Sequence, residues 1–429
     1  MIDIKLIREQ PDLVRAGMLK KHVSTSLLDE VMVVDGERRT LRQDTEELQA
    51  EQNRQTAEMP NLSTEERESR KEHLKALSER IKAKRAGLAD LDERYLILMR
   101  QIPNLPAAEV PEGSSDKDNV VLRTEGVKPE FAFRPKDHEE LCQIHGLLDM
   151  ERGAKVSGSK FYYLKNELVI LEQSVLRWSL DVLRGKGFDI MTVPHMARAE
   201  AMYGAGYFSA PSDPEDGDAY AIAQDDLFLV GTAEVGLINY RAGEVLAEAE
   251  LPLFYAGISP CYRREAGTYG RETRGLYRVH QFNKVEMVAI TRPEDSERTH
   301  ELLLSISEEL LQGLGLHYQV LINCTGDLGI PHYKKWDIET WLPGMNKYGE
   351  THSCSNITDF QARSLNIRYR KSGAEKEVGF VHTLNNTALA SPRILIAILE
   401  NGQQADGSIK IPEILVPYTG FEAINVHNL

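Results

Sequence analysis

Between residues 27 and 102 the chain carries one proline, Pro60, and two glycines, Gly36 and Gly87, among dense Glu, Arg, Lys, Gln and Leu. Proline and glycine cost a helix more than any other residue, so their near absence predicts long helices here. In the second half of this stretch Leu74, Leu77, Ile81, Leu88, Leu91, Tyr95, Leu98 and Ile102 recur at alternating spacings of three and four, with Lys84 as the polar interruption. That is a heptad seam, and it needs a partner helix. Val34, Leu41 and Leu48 form a weaker seam in the first half. Between the halves lie Met59, Pro60, Asn61 and Leu62, then Ser63 and Glu66 in the reciprocal N-cap spacing that starts a helix after a turn. The two halves are predicted to form an antiparallel helical hairpin, most of whose surface faces water.

Arg70, Lys71, Lys75, Arg80, Lys82, Lys84 and Arg85 are met by only Glu72 and Glu79 over the same stretch. This pattern fits a solvated charged face of a spacer or dimerising coil. It equally fits an arm that follows a phosphate backbone by shape. The formal charge of the whole chain is −15, so its surface at large does not attract nucleic acid and any such contact must be local. No run of apolar residues is long enough for a membrane span and the first residues lack a secretory apolar stretch, so a cytoplasmic protein is expected. Cys142, Cys261, Cys324 and Cys354 are far apart, which points to reduced thiols and to no structural zinc.

The remainder has another character. Residues 103–126, rich in Pro, Gly, Ser and Asp, are predicted to be a linker, so the chain divides into an arm, 1–105, and a larger domain, 106–429. In that domain a helix is expected over 165–185 and another over 294–314. Strands are expected at 188–193, 228–230, 253–258, 284–290, 318–322 and 377–381, with an acidic surface loop at 209–226. Strands and helices alternate irregularly, which favours an α+β fold with a mainly antiparallel sheet over a doubly wound one.

Arg263, Arg264 and Glu265 follow one of these strands, and a Gly/Arg-rich loop, 266–275, leads to Arg278 and Phe282. Two arginines on either side of a loop suit bidentate binding of neighbouring phosphates, and Phe282 offers a face for a purine. An exposed basic hairpin is the competing interpretation. No Walker A loop or GxGxxG turn is present, so a nucleotide site here must be built from side chains.

At this point the chain resembles the seryl-tRNA synthetases, class II aminoacyl-tRNA synthetases. The likeness rests on the hairpin arm, the segment VPEGSSDKDN, the triplet Thr232-Ala233-Glu234, the stretch CYRREAGTYGRETRGLYRVHQFNKVEM, then ETHSCSN and HTLNNTALASPR. The resemblance implies an antiparallel catalytic core and a motif 1 helix and strand, a dimer interface, within 168–194. Further implied are ATP as substrate, Mg²⁺, L-serine, a homodimer, and serine tRNA bound by the arm, with selenocysteine tRNA as a further acceptor.

By the same resemblance Arg263 and Arg393 are catalytic, at the α- and γ-phosphates. The ATP set is Arg263, Arg264, Glu265 (adenine amino group), Arg278, Phe282 (adenine stack), Glu350, Thr351, His352, Ser353 and Arg393, with Glu350 and Ser353 as oxygen ligands of Mg²⁺. Thr232, Ala233, Glu234, Glu286 and Thr387 are implied for serine, Thr387 at its hydroxyl. The seven basic residues of the arm are implied for tRNA. His352, Asn386, Ala388 and Pro392 depart from the family pattern; Pro392 is tolerable only in the first turn of a helix. Cys354 is expected to be a buried thiol. The implied activity is two-step ligation through seryl-adenylate. Its rivals are a ligase acting on a non-tRNA acceptor and a non-catalytic tRNA-binding paralogue.

Overall fold

The computed structural model describes residues 1–266, 275–373 and 377–426. The chain divides into two compact units: residues 2–19 with 23–102, and residues 103–429 with the short pieces 1 and 20–22.

The first unit is helical: α1 (Ile4–Glu9), α2 (Pro11–Lys20), α3 (Ser26–Glu58) and α4 (Thr64–Gln101). The weaker seam belongs to one continuous helix, α3. Ser63 caps α4 as expected: its hydroxyl accepts from Glu66 N–H, and the Glu66 carboxylate accepts from Ser63 N–H. Leu77, Ile81 and Leu98 of α4 are buried with Val31 and Val34 of α3. At the polar place in the seam, Lys84 Nζ lies 2.6 Å from Asp44 of α3, so the lysine is neutralised across the hairpin.

The second unit is built on an eight-stranded sheet: β1 (Val120–Glu125), β2 (Asp189–Thr192), β3 (Leu253–Tyr262), β4 (Gln281–Thr291), β5 (Tyr318–Ile322), β6 (Lys334–Leu342), β7 (Lys347–Thr358) and β8 (His382–Ala390). Their spatial order is β1-β5-β6-β7-β8-β4-β3-β2. All neighbours are antiparallel except β2 with β3. Three long helices bury apolar faces in its core: α5 (Glu167–Gly185), α7 (Ser296–Gly313) and α9 (Ser391–Gly402), while two short helices pack on the sheet, α6 (Glu234–Asn239) near β3 and β4 and α8 (Phe360–Leu365) near β7 and β8. In β4, Val285, Met287 and Ala289 belong to one core cluster, and Val288 and Ile290 to another. The strand therefore buries both faces by the two-residue alternation of a pleat.

Several expectations change. Residues 103–126 are not a free linker. Asn104 N–H donates to Ile330 O (2.8 Å), and its buried side chain reaches Ile357 O (2.8 Å). Ala107 N–H bonds Tyr333 O, and the segment ends as β1. Proline and glycine there shape a strap whose polar groups are satisfied by the body. The strands expected at 228–230 and 377–381 form, as Leu227–Leu229 and Val378–Phe380, but in small three-stranded sheets. The acidic stretch 209–226 contains a helical turn, Asp213–Asp216, and a two-residue strand. Strands β6, β7 and β8 were not expected at all. Their alternate positions carry Lys, Asp, Glu, Ser, Asn and Thr, and those polar faces meet in one cavity.

Candidate active site

The cavity measures about 570 Å³, within the roughly 300–1,000 Å³ of ligand pockets. Its floor is made by β4, β8, β6 and β7, and the pleat decides which residues reach it. Phe282, Lys284 and Glu286 alternate along β4 and all line it. Glu286 pairs directly with Thr387 of β8, and Asn385 Nδ2–H donates to Glu286 Oε1 (3.2 Å).

Strand β7 needs an irregularity to do the same. Glu350 and Ser353 are three apart, a spacing that places residues on opposite faces of a regular strand. Here Glu350 pairs with Glu339 and Ser353 with Asp337, two residues apart on β6, because the register shifts by one at Thr351. The bulge puts Glu350 and Ser353 on one face. Thr351 itself bonds Thr340 Oγ1 (2.8 Å) and Ile338 O.

Cations surround this face. Arg263 lies just beyond β3, with its guanidinium carbon 5.4 Å from the Phe282 ring centroid. Arg393, in the first turn of α9, donates from Nη1 to Glu350 O (2.7 Å) and from Nε to Tyr277 O (3.2 Å). Pro392 precedes it in that first turn, where its missing N–H costs nothing. Burial alone would raise the Glu350 carboxyl, but Arg393, Lys335 and Arg263 outweigh that and hold it below the usual range. It is a carboxylate. Burial, then the charge of Glu286, pushes Glu234 up to about 7.

Of the residues that the resemblance implies for ATP and serine, Thr232, Glu234, Arg263, Glu265, Arg278, Phe282, Glu286, Glu350, Thr351, His352, Ser353, Thr387 and Arg393 line this one cavity. Two stand outside its wall. Arg264 donates to the carbonyls of Glu215 (2.8 Å) and Gly217 (3.1 Å) and so pins the acidic loop beside the cavity. Ala233 is buried against Gly257 of β3, where a Cβ would come within 2.8 Å of the alanine methyl; it holds α6 close to the sheet.

Glu265 and Arg278 form an ion pair with each other. His352 has both ring nitrogens committed, to Thr351 Oγ1 (2.8 Å) and Ala388 O (3.0 Å), and burial pushes it down to about 4. It stands as a neutral strut between β7 and β8. Asn386 points to α7, donating to Leu303 O (2.7 Å) and Ser307 Oγ (2.8 Å). Cys354 is buried with a thiol pushed well up by burial. Residues 267–274 of the Gly/Arg-rich loop lie outside the described residues.

Sequence reasoning missed Tyr207, Lys284, Lys335 and Asn385, all on the wall. Lys284 was within reach, since it sits between Phe282 and Glu286 at strand spacing. It forms an ion pair with Glu286. Lys335 lies 3.1 Å from Asp337 on β6, a strand the sequence did not announce.

In the arm, the opposing helix supplies acids that the local sequence did not show. Arg70 pairs with Glu58 (3.1 Å) and Lys84 with Asp44 of α3, whose Gln49 accepts from Arg85 (2.8 Å), while Lys71 pairs with Glu68 of its own helix (3.1 Å). Lys75, Arg80 and Lys82 are exposed, and no hydrogen bond or ion pair engages them among the described residues.

An antiparallel sheet whose polar face gathers paired arginines, an aromatic platform and carboxylates is the core of a class II aminoacyl-tRNA synthetase, and residues 220–402 match the tRNA synthetase class II core domain (G, H, P, S and T). Residues 1–106 match the seryl-tRNA synthetase N-terminal domain. The chain belongs to the seryl-tRNA synthetase family. It is 44% identical to the serine–tRNA ligase of Dictyoglomus thermophilum over 99% of both chains. Among solved structures it resembles the Pyrococcus horikoshii seryl-tRNA synthetase complexed with ATP (39% identity, TM-score 0.90, 99% of this chain and 100% of that one). It also resembles the cytoplasmic serine–tRNA ligase of Naegleria fowleri in complex with AMP (29% identity, TM-score 0.85, 100% and 99%).

Proposed function

We propose that the cavity activates L-serine with ATP and that the enzyme then esterifies the 3′-terminal ribose of serine tRNA. The supporting observation is the meeting of Glu234, Glu286 and Thr387 with Arg263, Phe282 and Arg393 on one face of the sheet. In this reading Glu234 and Glu286 hold the serine ammonium group and Thr387 its hydroxyl. Alanine lacks that hydroxyl and would leave buried polar groups unpaired, a penalty that can reach roughly 10⁴ to 10⁵ in specificity. Arg263, above Phe282, faces the α-phosphate as negative charge builds during attack by the serine carboxylate. Arg278 and Arg393 neutralise the departing pyrophosphate. Positioning and fixed charge carry the rate, so no protein nucleophile is required.

Glu350 and Ser353 are suited to Mg²⁺: a carboxylate kept ionised by its neighbours and a hydroxyl, on one strand face, are hard oxygen donors with room for water and phosphate oxygens. When bound there, the ion would offset charge on the phosphates. The arm, through Lys75, Arg80 and Lys82, is read as the surface that follows the tRNA backbone, with selenocysteine tRNA a further acceptor. A homodimer is read at α5 and the edge strand β2, where Val169, Ile170 and Ile190 are exposed. A cytoplasmic location accords with these partners; among the described residues no helix is long and apolar enough to cross a membrane.

ATP–pyrophosphate exchange with Mg²⁺ and serine, threonine, alanine or cysteine, without tRNA, tests the first step. Exchange should require serine and fall about 10²- to 10³-fold in Arg263→Ala, the loss typical of removing one charge-stabilising donor. Absence of exchange from folded protein that binds ATP would leave the non-catalytic tRNA-binding reading.

A further inference from the structure

Behind Glu234 stands a group outside the cavity wall. Gln361, on α8, is 2% exposed, and both hydrogens and the oxygen of its amide are engaged. Nε2–H donates to Glu234 Oε1 (2.7 Å) and to Ala205 O (2.8 Å), while Oε1 accepts from Thr383 Oγ1–H of β8 (2.6 Å). Thr383 is fully buried. The amide has one sensible orientation: turned over, its oxygen would face a carboxylate oxygen and a carbonyl oxygen. The chain of contacts thus ties the carboxylate to three separate segments of the fold. We infer that Gln361 is a positioning residue for serine recognition, fixing the Glu234 carboxylate from behind so that it meets the substrate ammonium group. This rests on the reading of Glu234 as a serine ligand.

The chemistry favours such a device. Glu234 is buried beside a like charge, Glu286, and that setting disfavours its ionised form. The other charged or titratable groups that bear on it are Lys284 of β4, Arg263 beyond β3, and Tyr207. Against the Glu286 charge, a neutral N–H donor stabilises the carboxylate without offering a cation that would compete with the substrate ammonium. A lysine or arginine in place of Gln361 would neutralise the group that must bind serine. A glutamate would add a third carboxylate.

The test uses the full chain. Gln361→Met keeps the volume and removes the amide. Its serine KM in ATP–pyrophosphate exchange should rise about tenfold or more, the loss expected for a hydrogen bond to a charged group. ATP KM should stay within about twofold, and the acid limb of kcat/KM for serine should move to higher pH. Unchanged serine KM and an unchanged limb, in a variant with wild-type melting temperature, would overturn the assignment. Should Gln361→Met fail to fold, Thr383→Val removes only the hydroxyl that orients the amide, and it should show a smaller rise in the same direction; no rise would overturn the proposal. Wild-type protein without serine-dependent exchange would overturn the reading of Glu234 itself, and that outcome is visible before any variant is made.

Discussion

Burial and the Glu286 charge place the Glu234 carboxyl near 7, so this residue changes charge where an enzyme works. Its sign of action differs for stability and for binding. The ordinary value is 4.5 and the folded value is higher. Between about pH 4.5 and 7 the folded chain therefore holds a proton that the unfolded chain has lost, and the contribution of this group to stability declines as pH rises through that window. Under the proposed serine role of Glu234, binding runs the other way: a cationic amine needs the carboxylate, so serine affinity should fall as pH drops through about 7. A pH profile of kcat/KM for serine should show that limb in wild type. Glu234→Gln should lower kcat/KM at neutral pH and remove the limb. A limb that persists in the variant would assign it to another group.

At the scale of elements, the arm shows how a hairpin divides its charges. Lys84 and Arg70 are met by Asp44 and Glu58 of the facing helix, and exposed pairs of this kind contribute only about 0–1 kcal/mol each. They set the register of α3 against α4 more than they stabilise it. Among the described residues Lys75, Arg80 and Lys82 carry no such pair, which is why the proposed tRNA contact rests on them. Reversing these three to Glu should leave serine-dependent ATP–pyrophosphate exchange within about twofold of wild type, while tRNA aminoacylation loses affinity and its salt dependence becomes shallower. Measuring both half-reactions on one preparation checks it; equal loss in both would locate the damage in the fold. In the second unit, the bulge at Thr351 and the strut His352–Ala388 show the same economy. One extra residue turns a three-residue spacing into a shared face, and a neutral imidazole joins the two strands that carry Ser353 and Thr387.

On the scale of the whole molecule, the exposed Val169, Ile170 and Ile190 lie on α5 and at the open edge of the sheet. An uncovered apolar surface beside an unpaired strand edge is a natural place for self-association. Light scattering should give twice the mass of the chain, and Ile170→Asp should shift it toward monomer; a monomeric wild type would remove the dimer from the mechanism. Much of this protein is legible from its residues. Helix-forming composition and a heptad spacing are local properties, so the hairpin and its Ser63 cap follow from them. The strands 253–258, 284–290 and 318–322 announced themselves by apolar runs, and the motif residues by likeness to a family. Other features depend on neighbours far away in the chain. Strands β6, β7 and β8 are polar on one face because that face lines a cavity, which only the assembled sheet creates. Arg264 serves carbonyls near residue 217, residues 103–126 are laced to residues 330–357, and Gln361 reaches Glu234 through space. The chain's composition and periodicity determined that it would build a long hairpin and an antiparallel core. Tertiary pairing alone decided which polar groups meet, because a buried hydrogen bond depends on where two segments lie in space and not on how far apart they stand in sequence.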